Sequence, residues 1–558
     1  MKILLSSVFG PFGVDDEYGR KENIIELFHN QVTREQGLFS LRLFHPSSGL
    51  HFIAENLRAS TKVLDFPTQK RFIQELSNGY DYVGISFITP NFAKARRMAE
   101  LVREHAPKSR IVLGGHGTRI PGIEQMIVHD HICRSEGVAW FRDLLGETPR
   151  PLKHPLVSAS FSNHVAGIPF SSASGVLIPG VGCPNACRFC ATSHFFDKKY
   201  TAFFPTGREL FEVCERYERE LGITEFFVMD ENFLKRPQRV RELAACMEEK
   251  GKHYRFGIFS SAETVQDIGV EFMARLGVHF IWLGVESKQD TYEKNRGIDL
   301  RAMIKRLRDH GISVLASGIL FLEHHDKKTI WEDVRYLVDM EADFTQFMQL
   351  GPMPQTALYT DYAEKGILRE DIPYEEWHGQ HRLWFRHPEF TGEESERYLR
   401  DAFKYEYDQL GSSILRLCDT VIRGYETMAR YDDPYMRRRR EQLKELAAYY
   451  RPILSVLKTF GHNRTAKELA KEVAAKYDRQ LGPPTFKQRI SGELAKLFAL
   501  RELSRLRQGR TVYQPKTLET TYKPSARELV RESLNRSREA LTDIGISWPS
   551  EPAPPVRA

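Results

Sequence analysis

Cysteine is scarce in this chain: there are 7 among 558 residues, scattered except for one cluster. An odd count with tight local clustering suits a reducing compartment and a metal site better than a disulfide framework. Long apolar runs are missing too, and no stretch approaches the roughly 20 residues that a membrane-spanning helix needs. The opening MKILLSSVFGPFG lacks the longer apolar region and small-residue cleavage site of a signal peptide, and reads as a first buried strand. These absences set the expectation of a cytoplasmic protein. One-sided charge is also lacking. Eighty basic against 74 acidic residues leave +6, too balanced to argue for a nucleic-acid partner, and none is expected.

At ~100–200 residues per domain, the length implies three or more domains. Residues 1–150 alternate strand and helix signals. MKILLSS, DYVGISFI and RIVLGG read as strands, while KENIIELFHNQV, NFAKARRMAELVREH and AWFRDLLGE read as helices. Strands that are apolar throughout and joined by helices indicate a doubly wound parallel sheet. Such sheets bind ligands beyond the carboxyl ends of their strands, where Ser86 to Thr89 and Gly114 to Thr118 stand here. Residues 151–172, rich in Pro and Ser and without a period, read as a linker. From 173 to 371 the alternation resumes. ASGVLIPG, TEFFVMD, YRFGIFSS, HFIWLGVES, SVLASGILFL and FTQFMQLGPM make six strand candidates for a partial (β/α)6 barrel. Beyond residue 372 the strand signals stop. Residues 372–547 read as a helical domain and the Pro-rich 548–558 as a disordered tail, giving an α/β fold class with a C-terminal α-helical domain.

The chemistry concentrates in GVGCPNACRFCATSHFF, where Cys183, Cys187 and Cys190 follow a strand as Cys-x3-Cys-x2-Cys. Thiolates are strong ligands for iron and zinc, and short spacing lets one loop wrap a metal. A closed zinc site would need a fourth ligand, for which His194 is at hand. A 4Fe–4S cluster held by three cysteines instead leaves one iron open. Cys133, Cys214, Cys246 and Cys418 read as buried small hydrophobes.

This motif, with Phe189 before its last cysteine, resembles the signature of radical S-adenosylmethionine enzymes, and further landmarks follow in the family's order. VMDENF resembles the acidic motif after the second strand, which makes Asp230, Glu231 and Asn232 candidates to lie near the methionine moiety. Ser260 and Ser261 end the third strand. Gly284, Glu286 and Ser287 match the Gly-x-Glu-Ser strand motif, and Pro354 and Thr356 match Pro-x-Pro-x-Thr at the adenosyl pocket. The fifth strand departs from the pattern: FLEHHDKKT stands where a glycine-rich stretch usually ends in Glu-Thr, leaving His324 and His325 unassigned.

The N-terminal segment in turn resembles the cobalamin-binding domain that precedes many such enzymes, on DYVGISFIT, VLGGHGT and SEGVAWFRDLLGE. Ser86, Thr89, Gly114, Gly115 and Thr118 would line the nucleotide tail, with His116 a candidate contact. FGPFGVDD stands where other cobalamin domains carry their histidine motif, so the resemblance implies a base-off corrinoid with no histidine below the metal.

Together these resemblances imply a 4Fe–4S cluster, S-adenosylmethionine and cobalamin, with an electron donor such as flavodoxin or ferredoxin. The expected activity is C-methylation of an unactivated carbon in a lipid or natural-product substrate. Carbon–carbon coupling or ring rearrangement would use the same parts without methyl transfer, and a cobalamin-responsive regulator with a structural cluster is the non-enzymatic reading. A tRNA methylthiotransferase would carry further cysteines in its N-terminal domain, where only Cys133 precedes the motif. The lipid option rests on EYDQLGSSILRLCDTVIRGYETM and EQLKELAAYYRPILSVLKTF, amphipathic stretches on either side of Arg437 to Arg440. A basic run beside apolar helices suits peripheral contact with an anionic membrane. The alternative is an exposed charged face flanked by core helices.

Overall fold

The computed structural model describes residues 1–10, 17–18, 27–158, 161–170, 174–289, 293–509 and 514–523. In the N-terminal sheet, strands Lys2–Ser7, Ser60–Asp65, Tyr82–Ser86, Arg110–Gly114 and His131–Ile132 run parallel in the order 2-1-3-4-5. Leu4, Leu5, Val83, Ile85, Ile111 and Leu113 are fully buried, as a parallel sheet covered on both faces requires. STKVLD, the second strand, escapes the sequence pattern because Lys62 breaks its apolar run. The switch in strand order falls between Ser7 and Ser86, at the carboxyl ends.

The second large sheet consists of Ser174–Leu177, Glu225–Val228, Arg255–Ser260, Val278–Glu286, Ser313–Leu320 and Phe344–Gln349, all parallel and in chain order. These are the six strands of the expected partial barrel. Helices such as Gly207–Leu221 return the chain between them. That helix is started by a capping box in which Thr206 and Glu209 exchange side-chain and backbone hydrogen bonds.

Two expectations need correction. Residues 151–172 are not simply a linker. Phe161–Val165 and Ile168–Pro169 form an antiparallel hairpin that also pairs with Arg42–Phe44. Ala166 and Gly167 both take positive φ, 51° and 70°, the geometry of a two-residue hairpin turn whose sequence signal is weak with Ala in first place. Strand structure also resumes after residue 372, where Leu518–Tyr522 pairs antiparallel with Ser60–Asp65 at the edge of the N-terminal sheet. LETTY is short and mostly polar, so only its partner marks it as a strand. The 548–558 tail lies outside the described residues.

Helices Gly392–Leu410, Ser413–Met428, Pro434–Phe460, Arg464–Leu481 and Phe486–Arg507 make up the C-terminal region. Here the basic run at Arg437 to Arg440 is dismantled. Arg439 is buried and donates to the carbonyls of Val278 and Gly311 at the amino-terminal end of the barrel, while Arg440 lies over the Tyr425 ring. Burial lowers the Arg439 guanidinium to about 9. No helix among the described residues is long and apolar enough to cross a membrane.

Candidate functional site

The three cysteines occupy the loop that leaves the first barrel strand, at the carboxyl end of the sheet. Gly182 has φ +86°, and a Cβ there would stand 2.2 Å from the carbonyl oxygen of Lys199, so only glycine lets the loop close this tightly. Ser193 donates to the Cys183 carbonyl at 2.7 Å, and the Cys190 amide donates to the Cys187 carbonyl at 3.0 Å. Burial raises the pKa of all three thiols above the usual value, so that a bound metal would have to supply the positive charge that holds them as thiolates. His194 is not a free fourth ligand. Its Nδ1 donates to the Cys190 carbonyl at 3.0 Å and its Nε2 accepts from the Ala357 amide at 3.3 Å. Three thiols on one tight loop, with the neighbouring imidazole engaged at both nitrogens, fit a three-cysteine iron–sulfur cluster better than a closed zinc site. The loop is braced further where the Leu358 amide donates to the Arg188 carbonyl and Arg188 pairs with Asp361 at 2.8 Å.

A cavity of about 630 Å³ opens beside the loop, walled by Asn185, Cys187, Lys294, Leu322, His324 and Leu350 among others. Lys294 pairs with Glu286, and the buried carboxylate raises the ammonium's pKa although burial alone would lower it. Glu286 holds φ +67°, and the fourth barrel strand bulges between Gly284 and Glu286. A side chain on Gly284 would collide with both members of the pair. Asn295 donates to the carbonyls of Gly284 and Val285 at 3.0 and 2.9 Å, which keeps the strained turn in place. Ser287 accepts from the Gln289 amide at 3.2 Å.

Other expected contacts are engaged elsewhere. Asp230 accepts from Tyr200 and Arg239, both at 2.7 Å, and from the Asn232 amide at 3.1 Å, so it organises the loop rather than standing open to a ligand. Asn232 donates to Ser261 and accepts from Ser260, each at 2.8 Å, in a closed buried network that ties the second barrel strand to the third. Glu231 is exposed, yet desolvation by the surrounding protein pushes its carboxyl up to about 7. Thr356 caps the helix Ala357–Glu364 by accepting from the Tyr359 amide at 3.1 Å, and Pro354 is buried beside it. His325 links the Leu322 amide, at 3.1 Å, to Asp333, at 3.0 Å, and so supports the segment that presents His324 to the cavity. Lys294 lies eight residues past Glu286 with no motif around it, so sequence reading had no means of finding it.

At the N-terminal sheet, Gly114 has open space where a side chain would project, while Gly115 and Gly117 are pressed against Phe87. Ser86 is half-buried and Thr89 buried. Thr118 spends its hydroxyl on the Gly115 carbonyl at 2.8 Å. The ring of His116 lies 4.5 Å from that of Phe195, Arg119 donates to the Phe195 carbonyl at 3.2 Å, and the buried His116 Nε2 has no hydrogen-bond partner among the described residues. Burial lowers His116 to about 4. The glycine turn therefore packs directly on the short helix Ala191–Phe195 that follows the cysteines, bringing the two sets of strand ends together. An open glycine position and an orphaned ring nitrogen fit a group seated there, although Thr118 is already committed to its own turn.

The family model for the radical SAM superfamily matches residues 177–337. An uncharacterized methyltransferase of Pyrococcus horikoshii is 22% identical over 366 residues, covering 57% of this chain and 78% of that protein. The cytidylyl-2-hydroxyethylphosphonate methyltransferase of Streptomyces wedmorensis is 26% identical over 116 residues, which is 21% of each chain. The solved radical S-adenosylmethionine methyltransferase TsrM of Kitasatospora setae, with its tryptophan substrate and a S-adenosylmethionine analogue bound, shares the fold. Its TM-score is 0.51 at 13% identity, covering 81% of this chain and 99% of that one.

Proposed function

We propose that this chain, whose residues 177–337 match the family model for the radical SAM superfamily, is a cobalamin-dependent radical methyltransferase. Its substrate in this reading is a small natural product or lipid with an unactivated carbon. The observation that carries the reading is the packing of the glycine turn at 114–118 on the helix after the cysteines, so that two strand-end sites adjoin. The methyltransferase names of the two curated relatives support the same chemistry.

When bound, the cluster, S-adenosylmethionine and corrinoid would supply one-electron reduction, a hydrogen-abstracting radical and a transferable methyl group. The chain's own residues hold and shield. Cys183, Cys187 and Cys190 would ligate the cluster. The Glu286–Lys294 pair sets charge at the cavity wall, where S-adenosylmethionine would bring an amino group and a carboxylate. Leu322, Leu350 and Leu358 line the same cavity with apolar surface that keeps water from a reactive carbon. The glycine turn would take the corrinoid by close backbone approach at Gly114, where space is open. A one-electron donor such as flavodoxin or ferredoxin is required to reduce the cluster.

The experiment is a product count from S-adenosylmethionine with substrate and a strong reductant. A methylation that draws on S-adenosylmethionine both as radical source and as methyl donor would give 5′-deoxyadenosine and S-adenosylhomocysteine in roughly equal amounts. Product with 5′-deoxyadenosine alone would indicate coupling or rearrangement instead.

A further inference from the structure

The last long helix, Phe486–Arg507, is built inside out. Its buried positions are small, namely Gly492, Ala495 and Ala499, and a Cβ on Gly492 would stand 3.2 Å from Ser455 of the helix Pro434–Phe460 beneath it. The large apolar residues face the other way. Among the described residues Phe486 is 80% exposed and Leu497 61%, with Ile490, Leu494 and Leu500 also exposed. Steps of four, four, three and three along the chain keep all five on one side of the helix.

A largely apolar face of this kind, into which the exposed Glu493 and Arg501 also project at 100° per residue, marks on a folded protein a place where something docks. The charges around it indicate what. Lys487, Arg489, Arg501 and Arg507 are exposed on the same helix, whereas its two acids, Glu493 and Glu502, pair with Lys496 and Arg505. An apolar stripe with basic residues along it that have no acidic partner among the described residues is complementary to a layer whose interior is hydrocarbon and whose surface is anionic.

We propose that the Phe486–Arg507 helix seats the protein on an anionic lipid surface, with Phe486, Ile490, Leu494, Leu497 and Leu500 entering the interface and Lys487, Arg489 and Arg501 meeting the headgroups. The attachment does not depend on the cluster or on the reaction proposed above. The basic run at Arg437 to Arg440, which the sequence suggests for this role, is partly spent inside the protein. The exposed helix takes its place.

The full-length chain should co-sediment with vesicles of phosphatidylcholine and phosphatidylglycerol, weakly or not at all with phosphatidylcholine alone, and less as salt rises. Iron content should not matter, which separates this outcome from failure of the enzymatic reading. Leu494→Glu with Leu497→Glu should abolish sedimentation while the circular dichroism spectrum stays unchanged, since both side chains are exposed. Replacing Lys487, Arg489 and Arg501 by Gln should weaken binding on the order of a hundredfold. No binding to anionic vesicles overturns the proposal. So does a concentration-dependent dimer in sedimentation velocity that the two Glu substitutions break, because a second copy would then cover the face.

Discussion

Arg239 and Asp230 form an ion pair at 2.7 Å with both side chains only 2% exposed, directly behind the loop expected to meet S-adenosylmethionine. Removing one partner of a buried pair costs roughly 3–5 kcal/mol, because the other charge is left without compensation. Arg239→Met should therefore destabilise the protein by about that much in chemical denaturation, and Asp230→Asn should behave similarly. A merely weakened affinity for S-adenosylmethionine at unchanged stability would restore Asp230 as a direct contact.

The cysteine loop yields a second prediction. Replacing Cys183, Cys187 and Cys190 by Ala should remove the brown colour and about four irons per chain from anaerobically purified protein. His194→Gln should keep the iron, because His194 joins the Cys190 carbonyl to the Ala357 amide instead of ligating metal. Stoichiometric zinc in place of iron, or iron lost with His194 alone, contradicts the assignment.

At the cavity wall, Lys294→Met leaves the Glu286 carboxylate without its buried partner. Affinity for S-adenosylmethionine, measured by equilibrium dialysis, should fall on the order of tenfold or more, as for loss of a charge-assisted contact of about 1.5–3 kcal/mol. Glu286→Ala should depress both products of the cofactor. Unchanged binding in both variants removes this pair from the site.

Acid sensitivity should trace in part to His154. Burial lowers this imidazole to about 3, and its two nitrogens are committed, Nδ1 donating to Pro155 at 2.7 Å and Nε2 accepting from Ile178 at 2.9 Å. Its folded pKa lies below the unfolded value of about 6.5, so the native state binds fewer protons between those limits. Stability from this group is full above pH 6.5 and declines as pH falls toward 3, by at most about 1.4 kcal/mol per pH unit. His154→Gln should flatten the loss of unfolding midpoint between pH 6.5 and 4. Identical slopes for both proteins dispose of the idea.

The legible part of this molecule was whatever repeats or clusters along the chain. Six apolar runs at βα spacing announced the barrel, and three thiols within eight positions announced the metal loop. What stayed hidden depends on partners distant in sequence. Asp230 reads as a ligand contact until Arg239 and Tyr200 are seen to consume it, and Arg439 reads as surface charge until Val278 and Gly311 receive it. The hairpin at 161–169 and the strand at 518–522 are too short and polar to signal themselves. In the helix Phe486–Arg507, apolar residues on the exposed side and small residues on the buried side blur the one-faced pattern that marks amphipathicity.

The strand Leu518–Tyr522, which completes the first sheet from the far end of the chain, also bears on how the protein is made. At ~5–20 residues per second, a ribosome takes on the order of half a minute or more to travel from Asp65 to Leu518. Throughout that interval Ser60–Asp65 is an open strand edge on a nascent domain, a template for pairing with other chains. Production of the protein is thus a race between elongation and aggregation. Slowing translation, or ending the chain before Leu518, should send the N-terminal sheet into the insoluble fraction even though every residue of its parallel core has been synthesised.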